Sequence, residues 1–318
     1  LGQTERRVAH EVLGLAAEVK SAAYTVMARQ PFRARLAAIA GVNDAAADLA
    51  QRQFDAGNIN RLELANQQVA AQQAKIELAR TDAQLRADRE ALNRLLGLSS
   101  KQTNWKMSAE LPELAENEIP LDGLEELAVS QRLDLAAAKT QVTLAETALN
   151  LKRKTRLLPA SVNLGVDTER DTGGSRLTGP NVEIGLPIFD QGQADLTRLS
   201  AEWRRATDNY EGLATEIRSE VRATRDLLLA ARGTADYYAK TLLPQRRLIV
   251  RETLLHYNAM QKSSYELLAA KEQQLVAERE SVEALRDYGC ARGQLERAVG
   301  GKLAGGPAPA APKPAPNE

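Results

Sequence analysis

The sequence predicts a mainly α protein built from long antiparallel coiled-coil helices, with an internal two-fold repeat and one β-hairpin. Three observations support this class: a segment that recurs after 203 residues, long stretches of good helix formers, and one short region where apolar and polar residues alternate. Only 3 Phe, 2 Trp and 7 Tyr accompany abundant Ala and Leu. This composition favours narrow seams between helices over a wide globular core.

The repeat aligns Phe54–Gly97 with Tyr257–Gly300 without an insertion or deletion. The two copies begin FDAGNINRLELANQQ and YNAMQKSSYELLAAK, and they end ALNRLLG and QLERAVG. Glu63 falls on Glu266 in this alignment. A repeat of this period indicates duplication of one structural unit, and we predict two copies of an elongated helical hairpin.

The first half of the chain contains clear helix signals and helix breakers. We predict helices over 3–29 and 33–53, separated at Pro31, and a third helix that follows the Asn60 cap and ends at Gly97. Leu64, Leu78, Leu85 and Leu92 lie at multiples of seven in that third helix and form a seam for a neighbouring helix. An irregular connector with Trp105, Pro112 and Pro120 follows, and a helix over 121–157 comes next.

Two short segments break the helical pattern. In 162–170 and 181–187 apolar residues alternate with polar residues or Gly, which predicts two strands joined by a Gly-rich turn. Each strand has about the length of a tilted membrane-crossing strand. The alternation also fits a small exposed hairpin on a helical protein. Tyr257 lies 68 residues beyond Phe189, and the segment between them forms a rod of about 100 Å if helical, which we expect to break at Gly233 and Pro244.

Charge and composition exclude several classes of function. The 42 basic and 42 acidic residues balance, so no basic stripe indicates a nucleic-acid partner. The single cysteine and the two distant histidines do not form a metal site of the usual kind. The sequence has no run of about 18 apolar residues, so it predicts no membrane-spanning helix. No phosphate-binding loop or catalytic triad is present, so we predict neither an enzyme nor a cofactor.

Three motifs give the chain a specific resemblance. LLPASV (157–162), GLPIFDQGQ (185–193) and RLDLAAAKTQV (132–142), together with the tips FDAGN and YNAMQ, resemble the TolC-type outer-membrane efflux family over about 300 residues in the family's order. One position departs from the family's pattern, because Leu133 replaces a usual Pro.

The resemblance implies a homotrimeric conduit in the cell outer membrane, with most of the chain in the periplasm. Each protomer would give strands to a membrane β-barrel and helices to a periplasmic α-barrel, and a periplasmic adaptor would join the conduit to an inner-membrane transporter that supplies the energy. The conduit itself would be passive and would export small molecules or metal ions. A soluble periplasmic coiled-coil scaffold or adaptor is the alternative, because it would use the same heptads.

The resemblance also assigns residues at the two tips. Tyr257, Lys262 and Glu266 match the family's gate residues in chemistry, whereas Ala269 lacks the expected acid. Lys262 and Glu266 also fit an ordinary exposed helical pair.

Adaptor docking is predicted at the turns of both tips. Gly57 permits a positive φ that Met260 adopts less readily, so we expect two tips of different shape. The same turns also fit generic helix connections. The predicted docking residues are Ala56, Gly57, Asn58 and Ile59 in the first tip and Ala259, Met260, Gln261 and Lys262 in the second.

The repeat predicts a division into 1–98, a connector at 99–130, a second repeat at 131–303 with its hairpin at about 160–188, and a disordered Pro- and Ala-rich tail at 304–318. Only the second repeat contains a hairpin, and the chain starts with Leu rather than Met. We therefore expect a longer precursor with a hairpin upstream of Leu1, because an unclosed barrel leaves backbone groups unsatisfied in lipid. A natural variant without that hairpin would have to stay out of the membrane.

Overall fold

A computed structural model describes residues 2–107, 111, 114, 122–156, 162–170, 172–174, 176–184, 192–301 and 303. Long helices and one two-stranded antiparallel sheet make up these residues, which confirms the predicted fold class. The predicted tail, most of the connector after residue 107, and most of the motifs at 157–162 and 185–193 lie outside the described residues. The elements are α1 (Gly2–Asp55), α2 (Arg61–Leu96), a short 3₁₀ turn (Ser100–Thr103), α3 (Leu124–Gln131), α4 (Leu133–Thr155), β1 (Val162–Arg170), β2 (Arg176–Ile184), α5 (Gln193–Tyr237), a π-helical turn (Tyr238–Leu242), α6 (Leu243–Asn258) and α7 (Ser264–Val299).

The chain divides by its internal contacts into two compact units. The first unit contains residues 1–7 and 133–216, and the second contains residues 8–132 and 217–318. The hairpin β1–β2 belongs to the first unit, and both helical tips belong to the second. The domain ranges predicted from the repeat mark the duplicated parts of the sequence, whereas these two units are defined by contacts in the fold. The predicted ranges therefore stay a prediction.

The helices of the second unit pack side by side in antiparallel pairs. Ion pairs join α1 to α2, as between Arg29 and Asp88 at 2.9 Å, and α1 to α7, as between Lys20 and Glu296 at 2.5 Å. The Tyr238 hydroxyl, in the π-helical turn that leads into α6, donates to a Glu280 carboxylate oxygen of α7 at 3.1 Å. The core between these helices contains Phe32, Leu36, Ile39, Ala40, Ala74 and Leu275.

Pro31 does not end a helix, which contradicts the predicted break. It lies inside α1, which is continuous over 54 residues. Phe32 and Leu36 are buried just beyond the proline, and the guanidinium groups of Arg29 and Arg279 lie 5.5 Å from the Phe32 ring centroid. Packing on this scale offsets the roughly 3 kcal/mol that an interior proline costs a helix.

The helix predicted over 121–157 is two helices. α3 ends at Gln131, Arg132 is extended with φ −66° and ψ 123°, and α4 begins at Leu133. The Arg132 side chain is 10% exposed and pairs with Glu220. This buried ion pair accompanies the extended backbone at Arg132.

The break in the long rod lies beside Pro244 and not at Gly233. Gly233 is inside α5, and the π-helical turn immediately precedes α6, where Pro244 occupies the first turn. The Leu243 N–H donates to the Tyr238 carbonyl, five residues back. A proline has no N–H to continue the α pattern, and the wider turn accommodates this loss.

Candidate functional site

The first helical tip is a compact, hydrogen-bonded turn between α1 and α2. Gly57 has φ +74°, and its N–H donates to the Phe54 carbonyl oxygen at 2.8 Å while the Asn58 N–H donates to the Gln53 carbonyl oxygen at 2.8 Å. These two bonds are a Schellman C-cap. Asn60 then caps α2, because its Oδ1 accepts the Glu63 N–H at 2.9 Å.

The second tip, between α6 and α7, repeats these bonds at positions 203 residues later. The Met260 N–H donates to the Tyr257 carbonyl oxygen and the Gln261 N–H donates to the His256 carbonyl oxygen, both at 2.9 Å. Ser263 caps α7 in a capping box with Glu266. The repeat predicted from sequence therefore extends to individual backbone hydrogen bonds.

Met260 contradicts the expectation that the two tips differ in shape. Its φ is +56°, in the same left-handed region as Gly57. The side chain is 94% exposed, so it meets no neighbour that would oppose this conformation. A left-handed non-glycine residue costs roughly 1–2 kcal/mol, and the two cap bonds offset that cost at about 1 kcal/mol each.

The predicted gate residues lie together at the start of α7 and beside the second tip. Lys262 donates to Glu266 in an ion pair whose two side chains are both 47% exposed. The Glu266 carboxylate also accepts the Ser263 N–H at 2.8 Å. The hydrogen bond from Lys262, followed by the one from the Ser263 backbone, lowers the pKa of Glu266 below its ordinary value. Tyr257 is partly exposed at the end of α6, and Ala269 is exposed one turn beyond Glu266.

Tyr265 links the two tips, and sequence reasoning missed it. Its hydroxyl donates to Gln53 Oε1 of α1 at 2.7 Å. Burial first, and then the nearby Glu63 carboxylate, raise the pKa of Tyr265 above its ordinary value. In the repeat, Tyr265 aligns with Leu62. This exchange of an apolar residue for one with a hydroxyl group is the sequence signal that could have indicated the bond.

Arg132 is a second residue whose role the sequence did not disclose, although it begins the RLDL motif. Its guanidinium donates to Glu220 at 2.5 Å and to the Ala298 carbonyl oxygen at 3.3 Å. Arg297 donates to the other oxygen of Glu220 at 2.9 Å. One carboxylate of α5 thus bridges the α3–α4 junction and the end of α7.

The hairpin β1–β2 has two chemically different faces. Directly paired residues share a face of an antiparallel sheet. One face therefore carries the pairs Val162 with Ile184 and Leu164 with Val182, followed by Val166. These five side chains are between 52% and 78% exposed.

The opposite face of the hairpin is polar. Asn181 donates to an Asp167 carboxylate oxygen at 2.6 Å, and Asn163 donates to a Glu183 carboxylate oxygen at 3.4 Å. Both bonds join one strand to the other. The predicted alternation is confirmed over 162–170 and 181–184. The second strand begins at Arg176, five residues before the predicted start, because 176–180 pair with β1, and 185–187 lie outside the described residues. The pairing places all five exposed apolar side chains on the same side.

No family model and no curated protein matches this sequence. Solved structures do match. A membrane protein from Pseudomonas aeruginosa is 20% identical with a TM-score of 0.77, over 94% of this chain and 70% of that one. The Campylobacter jejuni CmeC outer membrane channel is 17% identical with a TM-score of 0.77, over 94% and 65%. The Vibrio cholerae outer membrane protein VceC is 17% identical with a TM-score of 0.68, over 94% and 73%. The chain has the fold of these membrane proteins, which include the CmeC outer membrane channel.

This channel fold is the one that the TolC-type resemblance implies. The chain spans about two thirds of the CmeC channel and slightly more of the other two proteins. Within the described part of the chain, no helix is both long and apolar enough to cross a membrane. The same residues contain no cluster of three or more His, Cys, Asp or Glu side chains that could hold a metal ion.

The channel fold brings the predicted site residues together only in part. Lys262 and Glu266 form a direct contact, and each set of docking residues forms one turn. The two turns belong to the same unit and are connected through Tyr265 and Gln53. The roles of gate and docking surface stay predictions.

Proposed function

We propose that this chain is an outer-membrane channel subunit of a tripartite efflux system. Three copies form the conduit, with the hairpins in the outer membrane and most of the helices in the periplasm. A periplasmic adaptor and an inner-membrane transporter complete the system, and the transporter supplies the energy. The subunit is a passive duct for small molecules or metal ions and carries out no chemistry.

The two-faced hairpin is the observation that carries this proposal. Five apolar side chains on one face and a polar, cross-linked opposite face are the pattern of strands in a transmembrane barrel, where lipid-facing and lumen-facing residues alternate. An isolated hairpin of this kind is marginal in water. Strands from other copies and a lipid phase provide what it lacks.

The proposal is tested by fractionating cells that express the full-length protein. We expect the protein in the outer-membrane fraction, extracted only by detergent, with the mass of three chains by light scattering. A water-soluble monomer would instead favour the coiled-coil scaffold or adaptor, which needs no amphipathic hairpin.

Within the proposed channel, Glu266 contributes to cation preference. Glu266→Gln should lower the cation-to-anion permeability ratio in planar bilayers by about twofold or more, because three converging carboxylates raise the local cation concentration. Gln preserves the capping box, so the change removes charge and leaves the helix start intact. Glu63→Gln, at the equivalent position of the first tip, is the matched control. Unchanged selectivity would leave the Lys262–Glu266 contact as an ordinary surface pair.

The same carboxylate gives the wild-type channel a defined pH dependence. The lowered pKa of Glu266 keeps it charged at pH values where an ordinary glutamate is already protonated. Cation preference should therefore persist through the ordinary glutamate range and disappear only as the pH falls through the lowered pKa. Reversal potentials recorded at stepwise lower pH measure this.

The first tip is proposed to dock the adaptor through its turn. Gly57→Pro should abolish adaptor binding and export, because proline requires φ near −65° where Gly57 has +74°, and it removes the N–H that bonds to Phe54. Gly57→Asn is the control, since Asn tolerates the left-handed region. Adaptor pull-down and a drug-resistance assay report the effect. Trimer mass should be unchanged, and a lost trimer would contradict the assignment of this turn to docking.

A further inference from the structure

Two apolar stripes at heptad spacing remain exposed on the second unit. On α2 they are Leu62, Val69 and Ile76, which are 70%, 54% and 52% exposed, and on α6 they are Leu248 and Leu255, which are 45% and 57% exposed. Single exposed apolar residues are common on proteins. A repeat of seven on a helix face is instead typical of a coiled-coil seam.

Each stripe lies on the side of its helix that faces away from the packed core. On α2 the buried residues include Leu64 and Ala71, which at 100° per residue lie roughly opposite Leu62 and Val69. The α6 stripe likewise lies opposite Val250, which is half-buried. Both helices therefore present a seam with no described partner in the second unit.

We propose that the α2 stripe of one copy packs against the α6 stripe of a second copy, with Leu62 facing Leu255 and Val69 facing Leu248. The proposal rests on the homotrimer of the proposed function and adds to it the surfaces and the register of the contact between copies.

The register follows from a contact that the chain already makes with itself. Tyr265 of α7 bonds to Gln53 of α1, and Asn43 of α1 donates to Glu272 of α7 at 3.2 Å. Higher residue numbers on α1 thus pair with lower numbers on α7, so the two helices run antiparallel.

The 203-residue repeat transfers this contact to the other two helices. Gln53 corresponds to His256 and Tyr265 to Leu62, so the equivalent contact pairs His256 with Leu62 of a second copy. The Asn43–Glu272 bond transfers to Arg246 and Val69 in the same way. Both pairs fall within two residues of the apolar pairing, Leu255 with Leu62 and Leu248 with Val69. A register shifted by one heptad, about 10 Å along the helix, does not.

Charge complementarity supports the same register. Continuing the antiparallel pairing away from the tip places Lys240 opposite Glu77 and leaves Asp236 one residue from the position opposite Arg80. The Lys240 side chain is 75% exposed and pairs with Asp236 of its own helical segment, and the Glu77 side chain is 53% exposed and pairs with Arg279. Exposed ion pairs contribute only about 0–1 kcal/mol, so both groups can exchange partners at a contact between copies. A shift by one heptad in either direction places Lys240 opposite Ala70 or Gln84 instead.

The test is disulfide cross-linking of the full-length protein in outer-membrane vesicles, in a Cys290→Ser background. The double variant Leu62→Cys with Leu255→Cys should give linked dimers and trimers on non-reducing gels, and so should Val69→Cys with Leu248→Cys. The shifted pair Leu62→Cys with Leu248→Cys is the matched control. We expect roughly tenfold less linkage there, because a bridge requires Cβ atoms about 4 Å apart and the heptad shift separates them by about 10 Å.

The outcomes separate this proposal from the proposed function. Stronger linkage in the shifted control overturns the register. If light scattering shows trimers but neither the Leu62–Leu255 nor the Val69–Leu248 cysteine pair forms a link, the two stripes do not face each other. Linkage of these cysteines to the adaptor instead would also overturn the assignment and would identify the adaptor as the occupant. A wild-type protein that forms no trimer contradicts the proposed function itself.

Discussion

Leu164→Arg is expected to abolish insertion of the protein into the outer membrane. Leu164 lies on the apolar face of the hairpin, paired with Val182, and is 78% exposed. An arginine on the lipid face near the middle of a bilayer costs about 2–4 kcal/mol. Three copies in one trimer would multiply this cost to roughly 6–12 kcal/mol, which is comparable to the whole stability of a typical domain, about 5–15 kcal/mol. Urea washing of isolated membranes, followed by quantification of the retained protein, measures insertion.

The neighbouring position supplies the control. Asn163 lies on the polar face of the same strand, so Asn163→Arg adds the same side chain one residue away and should insert normally. Both residues lie in the hairpin and outside every helix, so far-UV circular dichroism should show equal helix content in both variants. Equal insertion of the two variants would mean that the hairpin is an exposed surface feature and does not face lipid.

Glu220→Ala should cause the second largest effect, a loss of helix-bundle stability of about 3 kcal/mol. Glu220 bridges Arg132 and Arg297, and Arg132 is 8% exposed. Removing one partner of a buried pair leaves a desolvated charge and costs about 3–5 kcal/mol. The partial exposure of Glu220 places the expected value at the low end. Urea unfolding of the detergent-solubilised protein, followed by circular dichroism, gives the free energy of unfolding.

Glu125→Ala is the matched control for this pair. Glu125 pairs with Arg222 at 2.8 Å in the same unit, and the Arg222 side chain is 49% exposed where that of Arg132 is 10% exposed. Exposed pairs contribute about 0–1 kcal/mol. If the two variants unfold at the same urea concentration, the Arg132–Glu220 contact is not a buried structural pair.

Local signals explain most of what could be predicted. Asn60 and Gly97 cap α2 where expected, because a cap depends on one side chain or one backbone angle and the few residues around it. The alternation in 162–170 and the second strand predicted the hairpin for the same reason. For the candidate site, the repeat located both tips, and the resemblance to the TolC-type family singled out Lys262 and Glu266; the roles of these residues stay predictions.

The sequence by itself thus determined the two-fold repeat, the helix ends at the tips and the amphipathic hairpin, since each depends on periodicity or on neighbours along the chain. Only the tertiary structure decided that Pro31 stays inside one helix, that Arg132 separates two, and that Tyr265 joins the tips. It also decided that Met260 adopts a glycine-like φ. Each of these features depends on whether contacts or hydrogen bonds in the folded chain offset a local conformational cost of a few kcal/mol. Local sequence preferences indicate that cost, but they do not indicate which tertiary contacts will form.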